Sequence, residues 1–166
     1  MGYTIEQFAG ACHRILTADP GIEGRTKVCA LLQDALKDEA FVAANLGPGT
    51  PERKVLYEDP QLGFCILAHS YQGAKDSPPH DHGPAWAIYG QARGETVMVE
   101  WEVLEPAAEG KPGKVRRAKS YTLKPGMAHI YNEGEVHSPR RDAPTSLIRI
   151  EGKNMEKVRR FSYQAA

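Results

Sequence analysis

Along the first 45 residues the apolar side chains recur every three or four positions, the spacing that lines one face of a helix. Ile5, Phe8, Cys12, Ile15 and Leu16 form one such stripe, and Thr4 stands three residues before Gln7, the spacing of a capping box. Asp19-Pro20-Gly21 interrupts the pattern. Val28, Leu31, Leu32, Ala35 and Leu36 then make a second stripe, expected to run on to the Gly/Pro cluster at Asn45-Leu46-Gly47-Pro48-Gly49. From about Lys54 the period shortens to two. Strands are predicted at Val55 to Tyr57, Phe64 to Ala68, Trp86 to Gly90, Glu95 to Leu104, Val115 to Leu123, Ala128 to Tyr131, Glu135 to His137 and Ser146 to Ile150. Ser138-Pro139 reads as a turn after the seventh. Many short strands with turn signals between them predict a mainly β protein, a barrel or two-sheet jelly roll, preceded by an N-terminal α-helical segment. The expected organisation is a single domain over 1–166: N-terminal helices at 1–47, the β-barrel at 54–152 and a C-terminal extension at 153–166.

Composition narrows the partners. At 166 residues the chain can bury a core, and 41% hydrophobic with 25% charged residues is ordinary for a globular protein. Lys plus Arg (21) cancels Asp plus Glu (21), so neither nucleic acid nor an anionic membrane finds an electrostatic footprint. The pairs Arg116-Arg117, Arg140-Arg141 and Arg159-Arg160 are short and read as solvated surface. Cys12, Cys29 and Cys65 form no CxxC pair, and the first two, among apolar helical residues, read as buried thiols. The sequence shows no basic leader followed by an apolar core and no apolar run of membrane-spanning length, so a cytoplasmic location is expected. A homodimer stays open, because no patch can be assigned to an interface.

The chemistry concentrates in Ser77-Pro78-Pro79-His80-Asp81-His82-Gly83. Histidines two apart on an extended strand point to the same side, so both imidazoles can reach one metal ion. Asp81 points the other way and reads as a supporting residue. His137, in Gly134-Glu135-Val136-His137-Ser138-Pro139, is the candidate third ligand, with His129 as an alternative or a neighbour of the site. Three neutral imidazoles leave coordination positions open for substrate. His13 on a helix and His69 in a strand read as surface or satisfied core histidines.

The region from Lys54 to Gly152 resembles the cupin superfamily. The resemblance rests on His80-x-His82 followed by Gly90 and Gly94, and on Pro125-Gly126, an apolar-rich turn and His137. Within cupins, Pro78-Pro79-His80-Asp81-His82-Gly83-x-x-Trp86-Ala87-x-Tyr89-Gly90 looks most like the cysteine dioxygenase group. This implies a non-haem Fe(II) on His80, His82 and His137, with dioxygen and a small thiol such as cysteine or a mercapto-acid as substrates. Zn, Ni or Mn are the alternative metals. The usual cupin Glu four or five positions after the second His is missing, since Trp86 and Ala87 stand there. Three neutral ligands leave a divalent charge uncompensated and favour an anionic chelating substrate. The group's Ser-x-His-x-Tyr run is here Ser146-Leu147-Ile148-Arg149-Ile150, and its animal members' Cys is Ala87, so the surroundings of the metal are rebuilt. Arg149 is a candidate for a substrate carboxylate and faces either the cavity or the solvent. Arg53 or Lys54 lies near where the group places its carboxylate-binding arginine, a surface charge being the plainer reading of each. Tyr89, Tyr131, Trp86 and Trp101 are expected barrel walls, with a tyrosine hydroxyl such as that of Tyr89 available to orient substrate or oxygen. Two rivals keep the same histidines: a zinc enzyme acting on a non-thiol substrate, and a non-catalytic metal or small-ligand sensor.

Overall fold

The computed structural model describes residues 2–158 and 160–166. Three helices come first: α1 (Ile5–Ala18), α2 (Ile22–Leu36) and α3 (Glu39–Asn45). The capping box of α1 is present, with Thr4 Oγ1 accepting from the Gln7 N–H at 3.1 Å and Gln7 Oε1 accepting from the Thr4 N–H at 3.0 Å. The second stripe, expected to run unbroken to Asn45, is two helices. The chain turns at Lys37, and Asp38 caps α3 by accepting from the Ala40 N–H at 3.1 Å. The turn brings Phe41, Val42 and Leu46 into the same core from a new direction.

Among the described residues ten strands follow: β1 (Lys54–Glu58), β2 (Cys65–Tyr71), β3 (Lys75–Asp76), β4 (Ala87–Arg93), β5 (Thr96–Glu105), β6 (Gly113–Leu123), β7 (Ala128–Tyr131), β8 (Val136–Arg141), β9 (Thr145–Glu151) and β10 (Tyr163–Ala165). They form two sheets, ordered β1-β2-β9-β4-β7 and β10-β6-β5-β8-β3, antiparallel except for the β10–β6 pair. This is the mainly β jelly roll with N-terminal helices that the pattern predicts. Two details differ. Ser138-Pro139 is no turn, because β8 continues to Arg141 and the Pro139 carbonyl accepts from the Ser77 N–H at 3.0 Å. The C-terminal extension carries β10, which runs parallel to β6.

Strand alternation divides the first sheet into two faces. Ile66, Ala68, Ile88, Ile148 and Ile150 face the helices and pack with Phe8, Cys12, Leu32, Leu36 and Phe41. Gly90 lies at the closest approach, where an added Cβ would stand 2.7 Å from Leu32 Cδ2 and 2.9 Å from the Ile148 carbonyl oxygen. On the other face, Leu67, Arg149, Tyr89 and His129 lie in one row across β2, β9, β4 and β7. That face looks into the barrel, where Tyr89, Met98, Leu123 and Tyr131 pack together.

Arg141, expected at the surface, is 1% exposed and points inward, in phase with His137 and Pro139 along β8. Arg160 is exposed, yet it donates to the Asp81 carbonyl at 3.2 Å, while Arg159 lies outside the described residues. The three thiols are free and buried, and burial pushes their pKa up to about 12 for Cys12 and about 11 for Cys29 and Cys65. Among the described residues no helix is long and apolar enough to cross a membrane.

Candidate metal centre

His80, His82 and His137 converge at one end of the barrel interior, but not from a single regular strand. His80 makes an isolated antiparallel bridge with His137, with N–H to carbonyl distances of 3.0 and 2.8 Å in the two directions. His82 sits in the turn that follows. There Asp81 Oδ1 accepts from the Gly83 N–H at 3.0 Å, and Gly83 takes a φ of 61°, which a side chain would strain. Asp81 points away from the histidines, as expected, and its Oδ2 accepts from the Tyr163 hydroxyl at 2.8 Å.

The tautomers follow from the partners. His80 Nδ1 lies 2.8 Å from the Pro78 carbonyl, His137 Nδ1 3.0 Å from the Glu135 carbonyl, and His82 Nδ1 3.0 Å from Glu151 Oε2. These oxygens accept, so each Nδ1 carries the hydrogen. Burial holds the rings neutral: it lowers His80 to about 3, depresses His82, and with the neighbouring His80 and His82 takes His137 well below the usual histidine range. Each Nε2 is therefore a bare lone pair.

All three lone pairs point at one place. The Nε2 atoms of His80, His82 and His137 lie 3.3, 3.1 and 3.1 Å from the Tyr89 hydroxyl, and those of His82 and His137 are 3.2 Å apart. Burial raises the Tyr89 pKa, so its hydroxyl keeps its proton. One proton serves one acceptor, and two buried lone pairs remain without a donor. A divalent ion resolves this, because ligand nitrogens about 2.0–2.1 Å from a metal stand roughly 3–3.4 Å from each other. The donor set fits a metal ion.

Two supports of this cluster are not apparent from motif spacing. Glu151, 2% exposed at the end of β9, holds the Nδ1 of buried His82, the kind of contact that orients a metal-binding imidazole. Burial alone would raise its pKa, but the bond from His82 and the charge of Arg149 keep it low and ionised. The signal was present in the alternation, since Glu151 shares a face with Arg149. Tyr131 stacks on His137 with ring centroids 4.2 Å apart, and its hydroxyl lies 2.6 Å from that of Tyr121, which donates to Glu100 at 2.5 Å.

The other candidates separate. Arg149 faces the interior: its guanidinium lies over the Tyr89 ring at 4.1 Å, and its Nε is buried without a partner. Lys54 is exposed on edge strand β1, in register with Ala68 and Ile148 on the helix-facing side, and is not brought to the histidines. Arg53 pairs with Glu156 at 2.9 Å. His129 is half-buried, stacked on Tyr121 and Tyr131 at 5.0 and 4.7 Å, and stands apart from the three-histidine group. His13 bonds Asp59 at 2.7 Å, and His69 is buried with its Nδ1 2.8 Å from the Glu52 carbonyl.

No family model matches the sequence, and no curated protein matches it. Solved structures do. The cupin domain of Cnp3 from Schizosaccharomyces pombe superposes with a TM-score of 0.50 at 8% identity, covering 68% of this chain and 69% of that one. A cupin superfamily protein from Desulfitobacterium hafniense DCB-2 gives 0.45 at 11% identity, covering 61% and 76%. Oxalate oxidase in complex with the substrate analogue glycolate gives 0.43 at 17%, over 55% of this chain, and the match spans less than half (43%) of the oxalate oxidase chain. At these identities the likeness is one of fold.

Proposed function

We propose that this protein is a metal-dependent oxidoreductase that holds Fe(II) on His80, His82 and His137 and converts a small thiol to its sulfinate. The observation that carries the reading is the convergence of three neutral Nε2 atoms on the Tyr89 hydroxyl with no carboxylate among them. Bound there, iron would supply the redox chemistry of oxygen insertion, with positions left open by a three-histidine set. The reaction balances as one thiol and one dioxygen giving one sulfinic acid.

The chain's own residues set the rest. Neutral ligands leave the divalent charge intact, so a thiolate is favoured over a neutral sulfur. Arg149, over the Tyr89 ring and beside the cluster, offers its guanidinium to a substrate carboxylate. The Tyr89 hydroxyl, held protonated by burial, is a hydrogen-bond donor next to the three ring nitrogens. The His82–Glu151 contact favours one second reading, a zinc hydrolase, since carboxylate–histidine pairs also support catalytic zinc.

Oxygen uptake by Fe(II)-loaded protein decides between them, with cysteine, 3-mercaptopropionate and cysteamine as substrates and His80→Ala as control. Uptake that yields sulfinate, prefers the two acids and is lost in the variant is the expected result. No uptake by protein that retains iron overturns thiol oxidation. Zinc rather than iron in protein isolated without added metal, together with no uptake, favours the hydrolase.

A further inference from the structure

The barrel interior holds a second set of polar groups that the metal cluster does not use. Arg141 and Arg149 both point inward, and among the described residues neither forms an ion pair with a carboxylate. Glu151, two residues from Arg149, is engaged by His82, and Asp142, next to Arg141, pairs with Arg140. Arg141 lies under the Tyr71 ring, its guanidinium carbon 4.7 Å from the centroid, with Nε and Nη2 buried and unpartnered. Around it the interior carries further unpartnered atoms: His69 Nε2, Gln91 Oε1 and Thr96 Oγ1, on residues 3%, 0% and 0% exposed. Register places them together, because His69, Leu147 and Gln91 form the interior row next to that of Leu67, Arg149 and Tyr89, and Tyr71 stands opposite Thr145 one row further on.

Water can satisfy His69, Gln91 and Thr96, which are neutral groups. It cannot offset the guanidinium charge of Arg141; Arg149 is partly balanced by the ionised Glu151, and burial of an unpaired cation is among the costliest arrangements a core can hold. An anion that accepts from the fork of Arg141 removes that cost. Arg141 lies four positions after His137 on one strand, so the two backbones stand roughly 13 Å apart along the barrel, and the charge of Arg149, on the other sheet, acts on both.

We propose that the site takes an elongated ligand with two anionic groups beyond its metal-binding end, the distal one a carboxylate held by Arg141. The placement of the ligand's other end rests on the proposed function above. The substrate class becomes a dicarboxylic thiol rather than a simple mercapto-acid.

Binding of dicarboxylates without a thiol tests this independently of any oxidation. Succinate, glutarate and adipate, with butyrate as the monocarboxylate reference, are titrated calorimetrically into the wild type, Arg141→Met and Arg141→Lys. At least one dicarboxylate is expected to bind about tenfold or more tighter than butyrate to the wild type. That preference falls to within about twofold in R141M, which keeps the side chain's bulk but not its charge, and is partly retained in R141K. In the ligand-free state R141M is expected to melt no lower than the wild type, because it removes a buried unpaired charge. No dicarboxylate preference in the wild type, or a preference unchanged in R141M, overturns the proposal. So does an R141M protein that unfolds, which would make Arg141 a structural residue. Mercaptosuccinate against 3-mercaptopropionate in the oxygen assay separates the two readings. Dicarboxylate binding with no thiol turnover sinks the oxidase alone, and turnover with no such preference sinks the second carboxylate alone.

Discussion

Removing the charge of Glu151 while keeping its shape should loosen the metal without disturbing the fold around it. Glu151 Oε2 accepts from His82 Nδ1 at 3.0 Å, and both side chains are almost completely buried, at 3% and 2% exposure. A buried hydrogen bond to a charged acceptor contributes about 1.5–3 kcal/mol. Glu151→Gln retains an oxygen that can accept the same N–H, so it isolates the charge; Glu151→Ala removes the acceptor as well and frees the ring to rotate. Outer-shell partners of metal-binding histidines typically account for about 10–100-fold in affinity, or roughly 1.4–2.7 kcal/mol. The expectation is therefore a loss near tenfold for E151Q and near a hundredfold for E151A. Competition titrations against a chelator of known affinity, using Fe(II) anaerobically and Zn(II) in air, measure both. If the two variants bind metal within threefold of wild type, the carboxylate does not support the ligand, and the reading of His82 as an oriented donor fails.

Other expectations follow from the same geometry. Arg149→Met should lower kcat/KM for cysteine and 3-mercaptopropionate by about a hundredfold, the effect of leaving a carboxylate without its guanidinium, with little change for cysteamine. Lys54→Met, exposed and on the other face of the sheet, should stay within twofold for all three; a carboxylate-selective loss there would reverse the two roles. Asp59 is buried and accepts from His13, Tyr57 and the Gln61 and Leu62 N–H groups, so Asp59→Ala should cost about 2–4 kcal/mol in urea unfolding. Burial acts to raise its pKa, but the Leu62, His13 and Tyr57 hydrogen bonds outweigh it and hold the folded value low. Its contribution is thus full above the unfolded carboxyl value of about 4 and is lost as pH falls through the lower folded value. Wild-type stability should then drop over that acid range more steeply than that of D59A. Gly90→Ala drives a methyl into Leu32, Leu36 and the Ile148 carbonyl, and should destabilise the helix–sheet packing by about 1–3 kcal/mol in the same assay.

Much of this molecule is legible in its local pattern. Helical stripes and two-residue alternation placed α1, most of the strands and the mainly β class, because each element must present one apolar face and the period of that face is set by backbone geometry. His80, His82 and His137 stood out for the same local reason, that few segments place histidines at ligand spacing beside Pro and Gly. Local pattern misled where an element's fate depends on a distant partner. Ser138-Pro139 looked like a turn, yet β5 on one side and β3 on the other keep β8 extended to Arg141. HxH looked like a strand, yet a bridge and a turn aim its rings.

Tertiary structure alone decided which charges share the interior. Lys54 and Arg149 are equally cationic in sequence, but register sets Lys54 with Ala68 on the helix-facing side and Arg149 with Leu67 and Tyr89 inside the barrel. A shift of one residue would exchange those faces. Glu151 meets His82 across 69 positions of chain, and the three lone pairs converge on a hydroxyl from yet another strand. Sequence determines which side chains a strand offers to each of its faces. Only the closing of two sheets around them determines which meet, because burial, and with it neutral imidazoles and the unpaired guanidinium of Arg141, exists only once the barrel is shut.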